Sequence, residues 1–115
     1  MTYERNSFDN NTKESSYILK ASADGMVYIS FSVLTDTNSD FGQVIARISK
    51  NSDILAEDGS AYAPTAYNYV LGASVSIMIP IKKDETLVCF WRSSKVGGKY
   101  VTLNIIGFGC EIIIV

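Results

Sequence analysis

Leu103-Asn104-Ile105-Ile106-Gly107-Phe108-Gly109-Cys110-Glu111-Ile112-Ile113-Ile114-Val115 closes the chain with an almost unbroken apolar run. Read as one strand, it puts Ile106, Phe108, Cys110, Ile112 and Ile114 on one side and Ile105, Ile113 and Val115 on the other, because successive side chains of a pleated strand alternate. Both faces are then largely apolar. A strand of a one-sided antiparallel sheet shows apolar against polar, so this one either lies between two packed layers or turns its second face to another chain. An apolar terminus left in water frays or aggregates, which favours the second arrangement. Ile105, Ile113 and Val115 are accordingly expected at a seam between copies of the molecule.

Working back from that run, Tyr100 to Leu103 begins the terminal region and Ser93 to Lys99 is a Gly-containing connection. Thr86 to Arg92 is a strand rich in aromatic and β-branched residues, entered through the charged turn Lys82-Lys83-Asp84-Glu85. Ala73 to Ile81 alternates with Val75, Ile77, Ile79 and Ile81 inward, and Pro80, lacking an N–H, belongs at an edge or a strand end. Residues 54–69, interrupted by Pro64, read as a long surface loop with at most one short edge strand. Val44, Ala46 and Ile48 share one face, as do Val27, Ile29, Phe31 and Val33, and Tyr17 to Ala21 is a further short strand. Residues 1–16 are polar and aperiodic and read as a lead-in or linker, leaving 17–115 as one domain. No helical period persists over ten residues. Strands every 8 to 12 residues, separated by Gly, Asn, Asp and Ser, indicate an antiparallel two-sheet sandwich or jelly roll.

Composition narrows the function. A chain of 115 residues with 47% hydrophobic residues supports a single core. A net charge of −2, with both signs mixed along the chain, provides no basic field for nucleic acid or an anionic membrane. Neither a signal-peptide core nor an eighteen-residue apolar span is present, so cytoplasmic synthesis without membrane insertion is expected. Cys89 and Cys110 both sit in apolar, strand-like runs, which reads as two buried thiols, with a bridge open if their strands are neighbours.

Four pieces carry a resemblance. Gly25-Met26-Val27-Tyr28-Ile29-Ser30-Phe31 is similar to a Gly-x-Tyr-x-Phe strand with the tyrosine displaced by one position. Ile48-Ser49-Lys50-Asn51 is similar to a strand closing in Lys-Asn. Ile79 to Leu87 is similar to a strand, a Lys-Gly-Asp turn and a further strand, with Lys83 replacing the glycine. Ile106 to Ile112 is similar to a Phe-Gly-rich closing strand. In this order they resemble the jelly-roll head shared by the complement first-component recognition subunit and the tumour necrosis factor family. That resemblance implies a compact homotrimer with its first and last strands near the three-fold axis, adding Tyr17 and Tyr28 to the expected seam. Heads of this kind tip fibres and virion or spore appendages, so it also implies a virion or assembled-appendage setting, on a phage fibre or as a head-decoration component.

Chemistry-bearing residues are few. The chain has no histidine, which excludes Ser-His-Asp and Cys-His catalysis and histidine-ligated metals. The neighbouring carboxylates Asp84 and Glu85, or Glu57 and Asp58, point apart on turns and do not make a glycosidase pair. Asp36-x-Asn38-x-Asp40 opens like a calcium loop, but Phe41 stands where Gly is needed and Arg47 where a bidentate Glu is needed. No catalytic, metal or cofactor residue is therefore assigned, and the protein is read as non-enzymatic. Tyr62, Tyr67, Asn68 and Tyr69 form a loop able to stack on sugar rings or anchor a protein, weighed against simple covering of the sandwich end or the subunit seam. Two functions follow: a trimeric structural head with host-receptor or glycan recognition, or alternatively a monomeric carbohydrate-binding β-sandwich. Trp91 is expected to be buried.

Overall fold

The computed structural model describes the backbone of residues 2–9, 14–37, 42–62, 69–93 and 99–115, and the side chains of 14–34, 43–59, 72–93 and 100–115. Among the described residues nine strands run in order: β1 (Thr2–Asp9), β2 (Glu14–Ala21), β3 (Gly25–Thr37), β4 (Gly42–Lys50), β5 (Asp53–Tyr62), β6 (Tyr69–Ile81), β7 (Thr86–Ser93), β8 (Lys99–Phe108) and β9 (Ile112–Ile114). They build a four-stranded sheet, β1-β8-β3-β6, and a five-stranded sheet, β5-β4-β7-β2-β9, in which every pairing is antiparallel. The chain passes from one sheet to the other at nearly every connection, the path of a jelly roll.

Period-two patterning explains the layers. Val27, Ile29, Phe31 and Val33 on β3, Val44, Ala46 and Ile48 on β4, and Leu87, Cys89 and Trp91 on β7 are all buried between the sheets. Each large aliphatic or aromatic side chain removed from water there contributes about 1.5–3 kcal/mol. Tyr17 meets Phe31 edge to face, with ring centroids 6.2 Å apart. Both cysteines are buried free thiols, and burial pushes the Cys89 thiol up to about 12. Pro80 stands next to the end of β6, an edge strand, where a missing N–H costs no ladder bond.

Three expectations are corrected. Residues 1–16 are not all lead-in: Thr2–Asp9 pairs along its full length with β8, and β2 begins at Glu14. A polar edge strand needs backbone partners rather than apolar periodicity, so its composition did not mark it. Residues 54–69 are not mainly loop, because β5 runs from Asp53 to Tyr62 against β4. Its partner is fixed by the two-residue turn Asn51-Ser52, both at positive φ, which matches the twist of a hairpin.

The closing run is not one strand either. β8 ends at Phe108, residues 109–111 turn, and β9 pairs with β2 in the opposite sheet. Gly109 has φ 76°. A Cβ at Gly107 would collide with the Cys110 carbonyl, and one at Gly25 with the Phe108 carbonyl, so this corner closes only around bare backbone. The turn resets the parity. Val101, Leu103 and Ile105 face inward on β8, and Cys110 and Ile112 face inward after the corner.

Candidate assembly face

The same parity decides what β8, β3 and β6 present outward. Register places Phe108, Met26 and Pro80 side by side, then Ile106, Tyr28 and Met78, then Asn104, Ser30 and Ser76, then Thr102, Ser32 and Ser74, and finally Tyr100, Leu34 and Gly72. None of these residues is charged, although charged residues make up 19% of the chain. Where side chains are described, every charged one lies on the second sheet or on a turn, whereas the backbone register of the first sheet sets Glu4 of β1 opposite Asn104 and carries β3 on to Asp36. These five rows thus form an uncharged patch within the outer face of the first sheet, with an apolar end, where Met78 is 56% and Phe108 47% exposed, and a hydroxyl-rich middle, bordered by Glu4 in the register of β1 and by Asp36 farther along β3. Solvated sheet faces ordinarily carry charge, and uncharged patches rich in aromatic residues and methionine are the composition of interface centres.

Of the residues expected at a subunit seam, Tyr28 lies on this face, half-buried among Met26, Ile106 and Met78. Ile105 does not: it is 1% exposed and belongs to the core, because the odd-numbered residues of β8 face inward and the inward side passes to even numbers only after the corner at 109–111. Tyr17 also points inward, packed against the core. Ile113 and Val115, 53% and 73% exposed, sit at the β9 edge of the second sheet. They are accessible, but on a different surface from Tyr28. Reading the terminal run as one strand hid both facts. The uncharged patch was available from the sequence as the even-numbered residues of 26–34, 74–80 and 100–108, once those strands are recognised as neighbours.

Tyr62 and Tyr69 end β5 and begin β6, with backbones paired to Gly42 and Thr37. Tyr67 and Asn68 lie outside the described residues. Tyr69 is nine residues along β6 from Met78, about 30 Å at strand rise, so the tyrosine segment and the apolar end of the face are at opposite ends of the sandwich. Among the described residues no group of three or more Cys, Asp or Glu side chains is placed to hold a metal ion.

Strand order, crossovers and a core between two antiparallel sheets define a jelly-roll β-sandwich. No protein-family model matches the chain, and no curated protein matches it in sequence. Solved structures do match in fold. A chain of Broad Bean Stain Virus superposes with a TM-score of 0.52 at 9% identity, over 100% of this chain and 89% of that one. Latent PorU from Porphyromonas gingivalis gives 0.51 at 8% identity, over 92% of this chain and 13% of that one. Eiger TNF from S. frugiperda gives 0.49 at 7% identity, over 76% of this chain and 61% of that one. The chain thus spans less than two thirds of the latter two proteins.

Proposed function

We propose that the chain is a non-enzymatic structural head that assembles as a homotrimer through the outer face of its first sheet, on a virion or surface fibre. The loops at the tyrosine end are then free for recognition of a host receptor or glycan. The observation that carries this reading is the uncharged patch of five rows, from Phe108, Met26 and Pro80 to Tyr100, Leu34 and Gly72, on the outside of β8, β3 and β6. The five rows hold no charge to desolvate, their hydroxyl and amide groups are satisfied by hydrogen bonds across the seam, and the apolar end supplies area that gains from removal from water. The jelly-roll fold is compatible with it.

Light scattering after size exclusion tests it directly. A particle of three times the 12.6 kDa chain mass is expected at micromolar concentration. A monomer there, with the uncharged patch in water, would sink the assembly reading and return the monomeric sandwich.

A further inference from the structure

A second cluster lies on the outer face of the other sheet. Phe90 on β7 is half-buried, with the guanidinium carbon of Arg47 5.4 Å and that of Arg92 5.7 Å from its ring centroid. Both arginines are gripped from one side by the residue directly opposite in the ladder. Arg47 Nε donates to Glu57 Oε2 across β4 and β5, and Arg92 Nε donates to Glu14 Oε2 at 2.9 Å across β7 and β2. A guanidinium has five N–H donors, and Nε accounts for one. Among the described residues no hydrogen bond engages the Nη atoms of either arginine. The carboxylates therefore set the orientation of two guanidiniums flanking one aromatic ring while leaving the bidentate Nη donors for another acceptor.

We propose that this cluster binds an acidic saccharide, a sugar bearing a carboxylate or sulfate. Guanidinium forks match a planar or tetrahedral oxyanion. The ring between them sets their spacing through cation–π contact on both sides, and Glu14 and Glu57 accept from sugar hydroxyls. Those same carboxylates, with the net charge of −2, oppose a long polyanion such as nucleic acid. The site is on the opposite sheet from the assembly face, so it stands without the assembly reading.

Titration of the full-length ¹⁵N-labelled chain with 3′-sialyllactose, a sulfated chondroitin disaccharide, neutral lactose and sodium sulfate tests it. Saturable shifts of the Arg47, Phe90 and Arg92 amides are expected with an acidic sugar and not with lactose. Response to sialyllactose assigns a carboxylate ligand, and response to the disaccharide, which carries a uronate carboxylate besides its sulfate, assigns a sulfate ligand when sialyllactose gives none. Arg92→Gln, at a side chain 58% exposed and outside the core, should weaken binding at least about tenfold with the fold intact. Arg47→Gln provides a second test of the same loss. Absent shifts with both acidic sugars, equal shifts with sodium sulfate alone, or unchanged binding in both variants would overturn the proposal. None of these outcomes bears on particle mass, which reports on assembly separately.

Discussion

The Asp58 carboxylate on β5 accepts a hydrogen bond from the backbone N–H of Ser74 on β6 at 2.9 Å, joining the edge strand of one sheet to the edge strand of the other. An unpaired N–H on a sheet edge invites a strand from another molecule, and here it is capped from within the fold. Asp58→Ala should cost about 1–2 kcal/mol, the value of a hydrogen bond to a charged group less solvent screening. It should also increase association through β6. Denaturant melts read the first and concentration-dependent light scattering the second.

Charge placed on the first sheet's outer face separates assembly from folding. Met78→Glu is expected to preserve the circular dichroism spectrum and the melt of an isolated subunit while lowering particle mass to that of one chain. Ile105→Asp, four positions from the chain's corner but inside the core, should unfold it, since a buried unpaired charge costs about 3 kcal/mol or more. Ile113→Asp, on the other sheet, should leave particle mass unchanged. Dispersal by Ile113→Asp and not by Met78→Glu would move the seam to the β9 edge.

Ser52 occupies the second position of the β4–β5 turn at φ 68°, a conformation that costs an L-residue and that glycine adopts freely. Ser52→Gly should raise stability by about 0.5–1 kcal/mol, part of the relief being offset by glycine's greater freedom in the unfolded chain. An increase in the denaturant midpoint at constant slope is the expected signature.

Gly107→Ala should do the reverse. The added methyl meets a backbone carbonyl that belongs to the corner itself, so relief requires moving the main chain. A loss of at least about 2 kcal/mol is expected, with β9 the first segment to lose amide protection in hydrogen exchange.

Glu85 ties two turns together. Its carboxylate is held below the ordinary glutamate range chiefly by the hydrogen bond from Lys50, at 2.8 Å, and then by the backbone N–H of Lys82. A carboxyl group whose folded pKa is depressed contributes stability above its unfolded pKa and loses it as pH falls through the folded value. Stability should therefore decline more steeply below about pH 4 in the natural chain than in Glu85→Gln. Parallel acid titrations of the two proteins would measure the difference, and coincident curves would refute it.

Much of the architecture was legible because alternation is a local signal. Val27 to Val33, Val44 to Ile48 and Val75 to Ile81 declare their inward faces without reference to any partner. β1 was not legible, since Thr2–Asp9 has no apolar period and gains its place only from ladder bonds to β8. The apolar terminal run misled because nothing in Gly107-Phe108-Gly109 alone reveals that Gly25 lies against it. The assembly face was hidden for a related reason: a stretch without charge is unremarkable in one strand and conspicuous only when three lie side by side. The Arg47–Phe90–Arg92 cluster likewise exists only once β4 and β7 are neighbours.

β8 lies between β1 and β3, which gives the molecule a particular birth order. β1 emerges from the ribosome with no neighbour to bond, and must wait until β8 has been made. Contacts between residues so far apart along the chain also slow the search for the native state. A nascent copy is consequently exposed to cross-pairing with its neighbours for longer than a hairpin-by-hairpin sheet would be, and a slow, chaperone-sensitive yield is the expected mark of that delay.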